Sequence, residues 1–321
     1  MAYHRSVNLL APPSVRTQRV IAAFVVLTQG GIAVTGAIVR VTASGLGCPT
    51  WPQCFPGSLT PVAVSEVPRI HQAVEFGNRM ITFGVVLTAI LVVYAVTRAR
   101  RRTEVRVYAW LMPASTIVQA VIGGITVRTG LLWWTVALHL LASMTVVWLA
   151  VLLYVKIGEP DQPDPKDTAG VPADYVAKPL RWLTVLSAVA LAAVLVAGTL
   201  VTAAGPHAGD TSPTRTIPRL QVEITTLVHA HSSLLIGYLA LLVGLGFGLL
   251  ATSAPRPVML RLGVLIALVC AQALVGTVQY FTGVPAALVA VHVAGAAAVT
   301  AATAALWASM RQRTKPEPLE R

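Results

Sequence analysis

The chain has 321 residues, of which 55% are hydrophobic and 11% charged, and its mean hydropathy is +0.72. So few charges cannot solvate a globule of this size, which excludes a water-soluble protein and leaves an integral membrane protein. The net charge of +12 does not call for nucleic acid as a partner, because the basic residues cluster between apolar runs, where positive-inside loops belong.

Eight apolar runs approach the roughly 20 residues that cross a bilayer. They lie near 19–41, 72–97, 107–127, 134–155, 182–203, 224–251, 262–281 and 287–310. The first follows a basic tail, 1–18, but exceeds the length of a signal-peptide core and meets a poor cleavage context at Ala43-Ser44-Gly45, so it is expected to stay as a helix. Placing both termini in the cytoplasm puts 18 of the 24 Lys and Arg inside. The other six, Arg40, Arg69, Arg79, Arg128, Arg215 and Arg219, fall on or near the outer face.

The first outer loop, 42–71, carries Cys48 and Cys54 in Gly45-Leu-Gly-Cys-Pro-Thr-Trp-Pro-Gln-Cys54. Two cysteines in one loop on the oxidising side are a disulfide candidate, serving as a staple or as a redox-active pair. Cys270 falls inside the seventh run and is expected to be a small core residue. The second run opens with His71, Glu75 and Asn78, whose spacing puts them on one helix face. An intramembrane carboxylate at Glu75 is expensive and usually functional; it is either an acid-base group or the structural partner of Arg79 at i+4.

Two later stretches are near copies: Gln119-Ala-Val-Ile-Gly-Gly through Thr129-Gly130 to His139, and Gln272-Ala-Leu-Val-Gly-Thr through Thr282-Gly283 to His292. In each, 20 residues separate the Gln from the His. Such a repeat implies an internal duplication. The segment 157–181, with Pro160, Pro163, Pro165 and Pro172, is then a cytoplasmic linker between halves at 19–156 and 182–310, and 311–321 is a tail. An even number of crossings per half makes the repeat parallel. The fold expected is an all-α membrane protein of eight transmembrane helices, arranged as two tandem four-helix bundles related by a pseudo-twofold axis along the membrane normal.

Runs two, four, six and eight all enter from outside, and each has histidine in its first turns: His71, His139, His229 with His231, and His292. At 1.5 Å per residue these sites share one outer-leaflet layer, about 7–8 Å deep. A single buried histidine is usually a packing residue, but four matching helix starts point to a porphyrin iron held by imidazoles. Zinc fits less well, since carboxylates and thiolates are missing at ligand spacing. In the second half His229 is expected to pair with His292; His231 lies about 200° further round the helix, as a polar contact or alternative ligand. In the first half His139 has only His71 as a local histidine partner. Arg40, Arg79 and Arg128 either bond haem propionates or snorkel to the interface.

The outer-loop sequence from Thr35 through Cys54, the run Glu75-Phe-Gly-Asn-Arg79, Gly198-Thr-Leu-Val-Thr with Gly205-Pro-His-Ala-Gly-Asp210, and the two Gln-to-His blocks together resemble the haem A synthase family over residues 19–310. The resemblance implies an enzyme of the bacterial plasma membrane that oxidises the C8 methyl group of haem O to a formyl group, making haem A for terminal cytochrome oxidases. It implies a substrate haem in the first half beside His139 and Glu75, and a haem b cofactor in the second half on His229 and His292. It also implies a Cys48–Cys54 disulfide. The partners implied are haem O, haem O synthase as its supplier, an electron donor that the sequence does not name, and the lipid bilayer; homo-oligomer formation is left open. One departure stands out. The family pattern in the second run is Glu-x-x-His-Arg, and here Asn78 occupies the histidine position, so either His71 takes the ligand role or the iron keeps an open position. The rival classes are a di-haem electron carrier and a duplicated transporter. Glu75 and the unlike halves argue against the carrier, and histidines on four helix starts argue against the transporter.

Overall fold

The computed structural model describes residues 11–63, 66–161 and 176–310. Most of the proline-bearing linker, including Pro163, Pro165 and Pro172, together with residues 1–10 and the tail 311–321, lies outside the described residues. Eight helices run in order: α1 Val15–Val41, α2 Arg69–Arg98, α3 Thr103–Arg128, α4 Trp133–Gly158, α5 Lys178–Ala204, α6 Ile224–Ala251, α7 Arg256–Phe281 and α8 Ala286–Ser309. All eight are long and apolar enough to cross a membrane, as the sequence predicts. Most begin one to six residues before the apolar runs, since the unpaired N–H groups of a first turn are best met in the polar headgroup layer. Ser14 caps α1 by accepting from the Thr17 N–H at 3.1 Å. Prolines stand in the first turns of α5 and α7, where no N–H is lost from the ladder. No strand forms among the described residues; only isolated bridges join Ser44 to Asp210 and Phe55 to Ser58 in the outer loops.

In the first half α1 and α3 each pack on α2 and α4; in the second, α5 and α7 each pack on α6 and α8. The two sets meet through α1 with α8, α4 with α8 and α4 with α5. The corners before α4 and α8 repeat in detail. Gly130 and Leu131 have φ of 63° and 58°, and Gly283 and Val284 have φ of 77° and 59°. In this left-handed conformation Leu131 N–H bonds back to the Thr126 carbonyl at 2.9 Å, and Val284 N–H to the Gln279 carbonyl at 2.8 Å.

The densest packing lies at one end of each half. Ala22, Val25, Val92, Met112 and Leu153 form one cluster, and Tyr238, Leu242, Leu245, Leu262 and Leu306 form part of the other. Both sit towards the ends of the helices that are opposite the histidines. At that inner end Arg101, 4% exposed, ties three elements together. It pairs with Asp161 at 2.7 Å and donates to Gln18 Oε1 at 3.0 Å and to the carbonyls of Ile157 and Glu159 at 2.9 and 3.0 Å. Replacing it would leave buried acceptors unpaired. Arg101→Met is therefore expected to lower stability by about 3 kcal/mol, read as a lowered thermal unfolding midpoint in detergent with unchanged helix content.

Candidate functional site

The loop between α1 and α2 folds down onto the start of α2, and a carboxylate and a guanidinium hold it there. Cys48 and Cys54 form a disulfide, fully buried with Phe55 and Val67. Glu75, 5% exposed, accepts the Cys48 N–H on Oε2 at 2.7 Å and Arg79 Nη2 on Oε1 at 2.7 Å. Arg79 also donates to the carbonyls of Cys48 and Thr50 at 3.0 Å each and of Gln53 at 3.2 Å. Charge-assisted bonds of this kind are the strong ones, so the pair fastens both the N–H and C=O sides of the disulfide loop. Both oxygens of Glu75 are engaged in this clamp.

The remaining polar residues of α2 look away from one another. Asn78 Oδ1 accepts from Thr35 Oγ1 of α1 at 2.7 Å. His71 Nδ1 lies 3.0 Å from Ser44 Oγ, and its backbone carbonyl packs against Gly47, where any Cβ would collide. His71 lines an outer cleft of ≈ 160 Å³ with Asp210 and Arg215, themselves paired at 2.8 Å; His139 does not line that cleft.

His139 sits on α4 against α3. Its Nδ1 lies 3.0 Å from Gln119 Oε1, and Gly123 of α3 faces its Cε1 and Nε2. The next residue, Gly124, receives the indole of Trp51 from the outer loop; a Cβ there would lie 2.5 Å from the ring. The duplicated positions are Gly276 and Thr277. The glycine beside the histidine is kept, whereas the glycine that admits the indole is found in the first half only. The disulfide loop thus packs onto α3 at the residue next to the one that faces His139.

The second half brings together His231 and His292. Their ring centres are 6.3 Å apart with planes inclined at 64°. Imidazoles sharing one metal through bonds of roughly 2 Å have ring centres roughly 6 Å apart. Glycines make the room on both sides: a Cβ at Gly198 would stand 3.1 Å from His231 Cε1, and one at Gly276 would stand 3.2 Å from His292 Cε1. His231 Nδ1 lies 3.0 Å from the Val194 carbonyl, whereas buried His292 Nδ1 has no hydrogen-bond partner. His229 is exposed on the other flank of α6. The buried residues of α6 begin at Tyr238 and those of α7 end at Val269, so the turns around the two imidazoles are lined rather than filled. Among the described residues no three His, Cys, Asp or Glu cluster to hold a metal ion. A pair of imidazoles between glycines suits a flat macrocycle that brings its own four equatorial donors.

The arginines divide. Arg40 donates to the carbonyls of His207 at 3.0 Å and Thr202 at 3.1 Å, and Arg219 reaches the same two and Gly205. Burial lowers the pKa of Arg219 below its usual value. Together they cap the carbonyl end of α5, the negative pole of that helix. Arg79 is committed to the disulfide loop, and Arg128 is exposed at the end of α3. Three participants, Trp51, Ser143 and Gly198, carry no chemical signature by themselves. The paired glycines at 123 and 276, each four residues after the repeated glutamine, are the sequence signal for an imidazole-facing surface on α3 and α7.

Residues 19–304 match the family described as cytochrome oxidase assembly protein. The chain is 33% identical over 173 residues to the haem A synthase of Lysinibacillus sphaericus (strain C3-41), covering 53% of each. It is 30% identical over 101 residues to that of Geobacillus thermodenitrificans, covering 31% of this chain and 30% of that one. It is 27% identical over 156 residues to that of Exiguobacterium sibiricum, covering 45% and 49%. The matched stretches thus span about half the length of these relatives or less. With a family match over most of its length, the chain belongs to the haem A synthase family of cytochrome oxidase assembly proteins.

Proposed function

We propose that this protein is a haem A synthase, an oxidoreductase of the bacterial plasma membrane that converts the C8 methyl group of haem O to a formyl group. The observation that carries the reading is the unlike equipment of two duplicated sites. One half presents the facing pair His231 and His292, and the other presents a single histidine, His139, beneath a clamped loop. A relay of two equivalent haems has no use for that difference; a substrate site beside a cofactor site does. On this reading 19–156 and 182–310 are tandem four-helix bundles about a pseudo-twofold axis, supported by the recurrence of the α1–α4 packing pattern in α5–α8. Both termini are cytoplasmic, and the histidine layer faces the outer leaflet.

Haem b, when bound, supplies one-electron redox chemistry. His231 and His292 are the residues that would hold it, with His231 taken in preference to His229 because it faces His292 and is oriented by the Val194 carbonyl. In the first half His139 would hold the substrate. Asn78, bonded to Thr35, and His71, bonded to Ser44, are engaged elsewhere, so His139 is the imidazole that this half would offer to the substrate. Glu75 and Arg79 hold the loop so that Trp51 shields the reacting edge from water, and a dry site strengthens every fixed dipole in it. Arg128, free of carbonyls, is the cation suited to a propionate. Haem O arrives from its synthase within the bilayer, and an external electron partner completes the reaction.

Membranes co-expressing this chain with a haem O source are expected to accumulate haem A, read by chromatography of extracted haems; finding haems b and O alone would overturn the assignment. His231→Ala is expected to remove the low-spin haem b spectrum and His229→Ala to leave it intact. Glu75→Gln and Arg79→Met are each expected to reduce haem A yield about tenfold or more while sparing haem b content, because each opens the same clamp.

A further inference from the structure

The repeated glutamines face the same histidine in each half but bond to it differently. In the first half Ser143 Oγ donates to the His139 carbonyl at 2.9 Å, so its lone pairs face the Gln119 side chain. Gln119 Nε2 donates to that oxygen at 2.7 Å and points towards the His139 carbonyl at 3.4 Å. The amide can then turn only one way, because the reverse would set its oxygen against a carbonyl oxygen. Its Oε1 faces His139 Nδ1 at 3.0 Å. An amide oxygen only accepts, so Nδ1 carries the ring proton and the Nε2 lone pair is left to bind.

In the second half the residues matching Ala142 and Ser143 are Gly295 and Ala296. Ala296 has no hydroxyl to hold the amide. Gly295 opens the space beside it, and the Gln272 amide fills that space so fully that any Cβ would collide. Gln272 Nε2 donates to the His292 carbonyl at 2.8 Å, and His292 Nδ1, buried, has no partner. Two changes between the copies, at one helical step, therefore switch the glutamine from ring to backbone.

We propose that Gln119, held by Ser143, is a positioning residue that fixes His139 as the Nδ1–H tautomer and presents Nε2 to the substrate haem, and that the changes at 295 and 296 remove this device from the cofactor half. The proposal rests on the reading of His139 as the substrate-haem ligand. A hydrogen bond to the far nitrogen raises the basicity of a metal-bound imidazole and fixes its ring orientation, and losing such a partner typically weakens metal affinity about 10–100-fold. The two halves would then offer irons of unlike electron demand although both use histidine.

The test begins without haem. In haem-free protein labelled with ¹⁵N-histidine, His139, identified by the signals lost in His139→Gln, is expected to show a single Nδ1–H tautomer. Gln119→Leu should give mixed tautomers, Ser143→Ala a partial mixture, and Gln119→Glu, which keeps an acceptor, a return to one. The double substitution Gly295→Ala with Ala296→Ser should confer a single tautomer on His292. Haem O titrated into the His292→Ala background should bind about 10–100-fold more weakly after Gln119→Leu and recover with Gln119→Glu. An unchanged tautomer and unchanged haem O affinity in Gln119→Leu would overturn the proposal. If Gln119→Leu does not fold, Ser143→Ala and the gain of order at His292 decide it by the same readouts. A parent protein that binds no haem would defeat the functional reading, while the haem-free tautomers would still report whether Gln119 orders the ring.

Discussion

An imidazole buried among apolar helices needs both a hydrogen-bond partner and a space that a neighbouring helix gives up, because no water is at hand to supply either. Three rings set against neighbouring helices meet that demand to different degrees. His139 takes its partner from a glutamine and lies along Gly123; His231 takes a backbone carbonyl and lies along Gly198; His292 has the space at Gly276 but no partner for Nδ1. The glycines spend no side chain at the points of closest approach, and the dense packing that they forgo is recovered in the clusters at the other end of each bundle.

The two Gln-to-His stretches share a sequence pattern and a corner geometry, and small side chains distinguish them. The Gly-Leu and Gly-Val corners before α4 and α8 have nearly the same dihedral angles. The surfaces next to them do not match: Gly124 receives an indole where Thr277 cannot, and Ser143 holds an amide that Ala296 releases. Changes of one to three heavy atoms alter the surface that a site presents because they act on groups already fixed by the helices. Glu75 illustrates the same economy. Its two oxygens meet the Cys48 N–H and the Arg79 guanidinium, so one carboxylate ties the disulfide loop to α2.

Much of this was legible in the chain itself. Eight apolar runs, the Gln-to-His spacing and the paired cysteines are long-range regularities that survive any detail of packing, and the helices and the disulfide agree with them. Which of His229 and His231 faces His292 was not legible, since two residues apart on one helix they differ only in the neighbour they meet. That neighbour, Gly198, lies on α5 and is silent in sequence. For the same reason the sequence showed Glu75 one turn from Arg79 but not the loop amide and carbonyls that the two side chains meet. Asn78 in place of histidine was visible, but its bond to Thr35 depends on how α1 lies against α2.

The two halves are also joined through the loops that follow α1 and α5. Gly45 N–H bonds to the Gly209 carbonyl at 2.8 Å, a side chain at either glycine would strike Leu131, and Arg40 of α1 reaches the end of α5. The height of the cysteine-bearing loop is thus set partly by the opposite duplicate. A substitution at this seam therefore has to fit two loops that lie more than 150 residues apart in the chain, so neither can be reshaped independently.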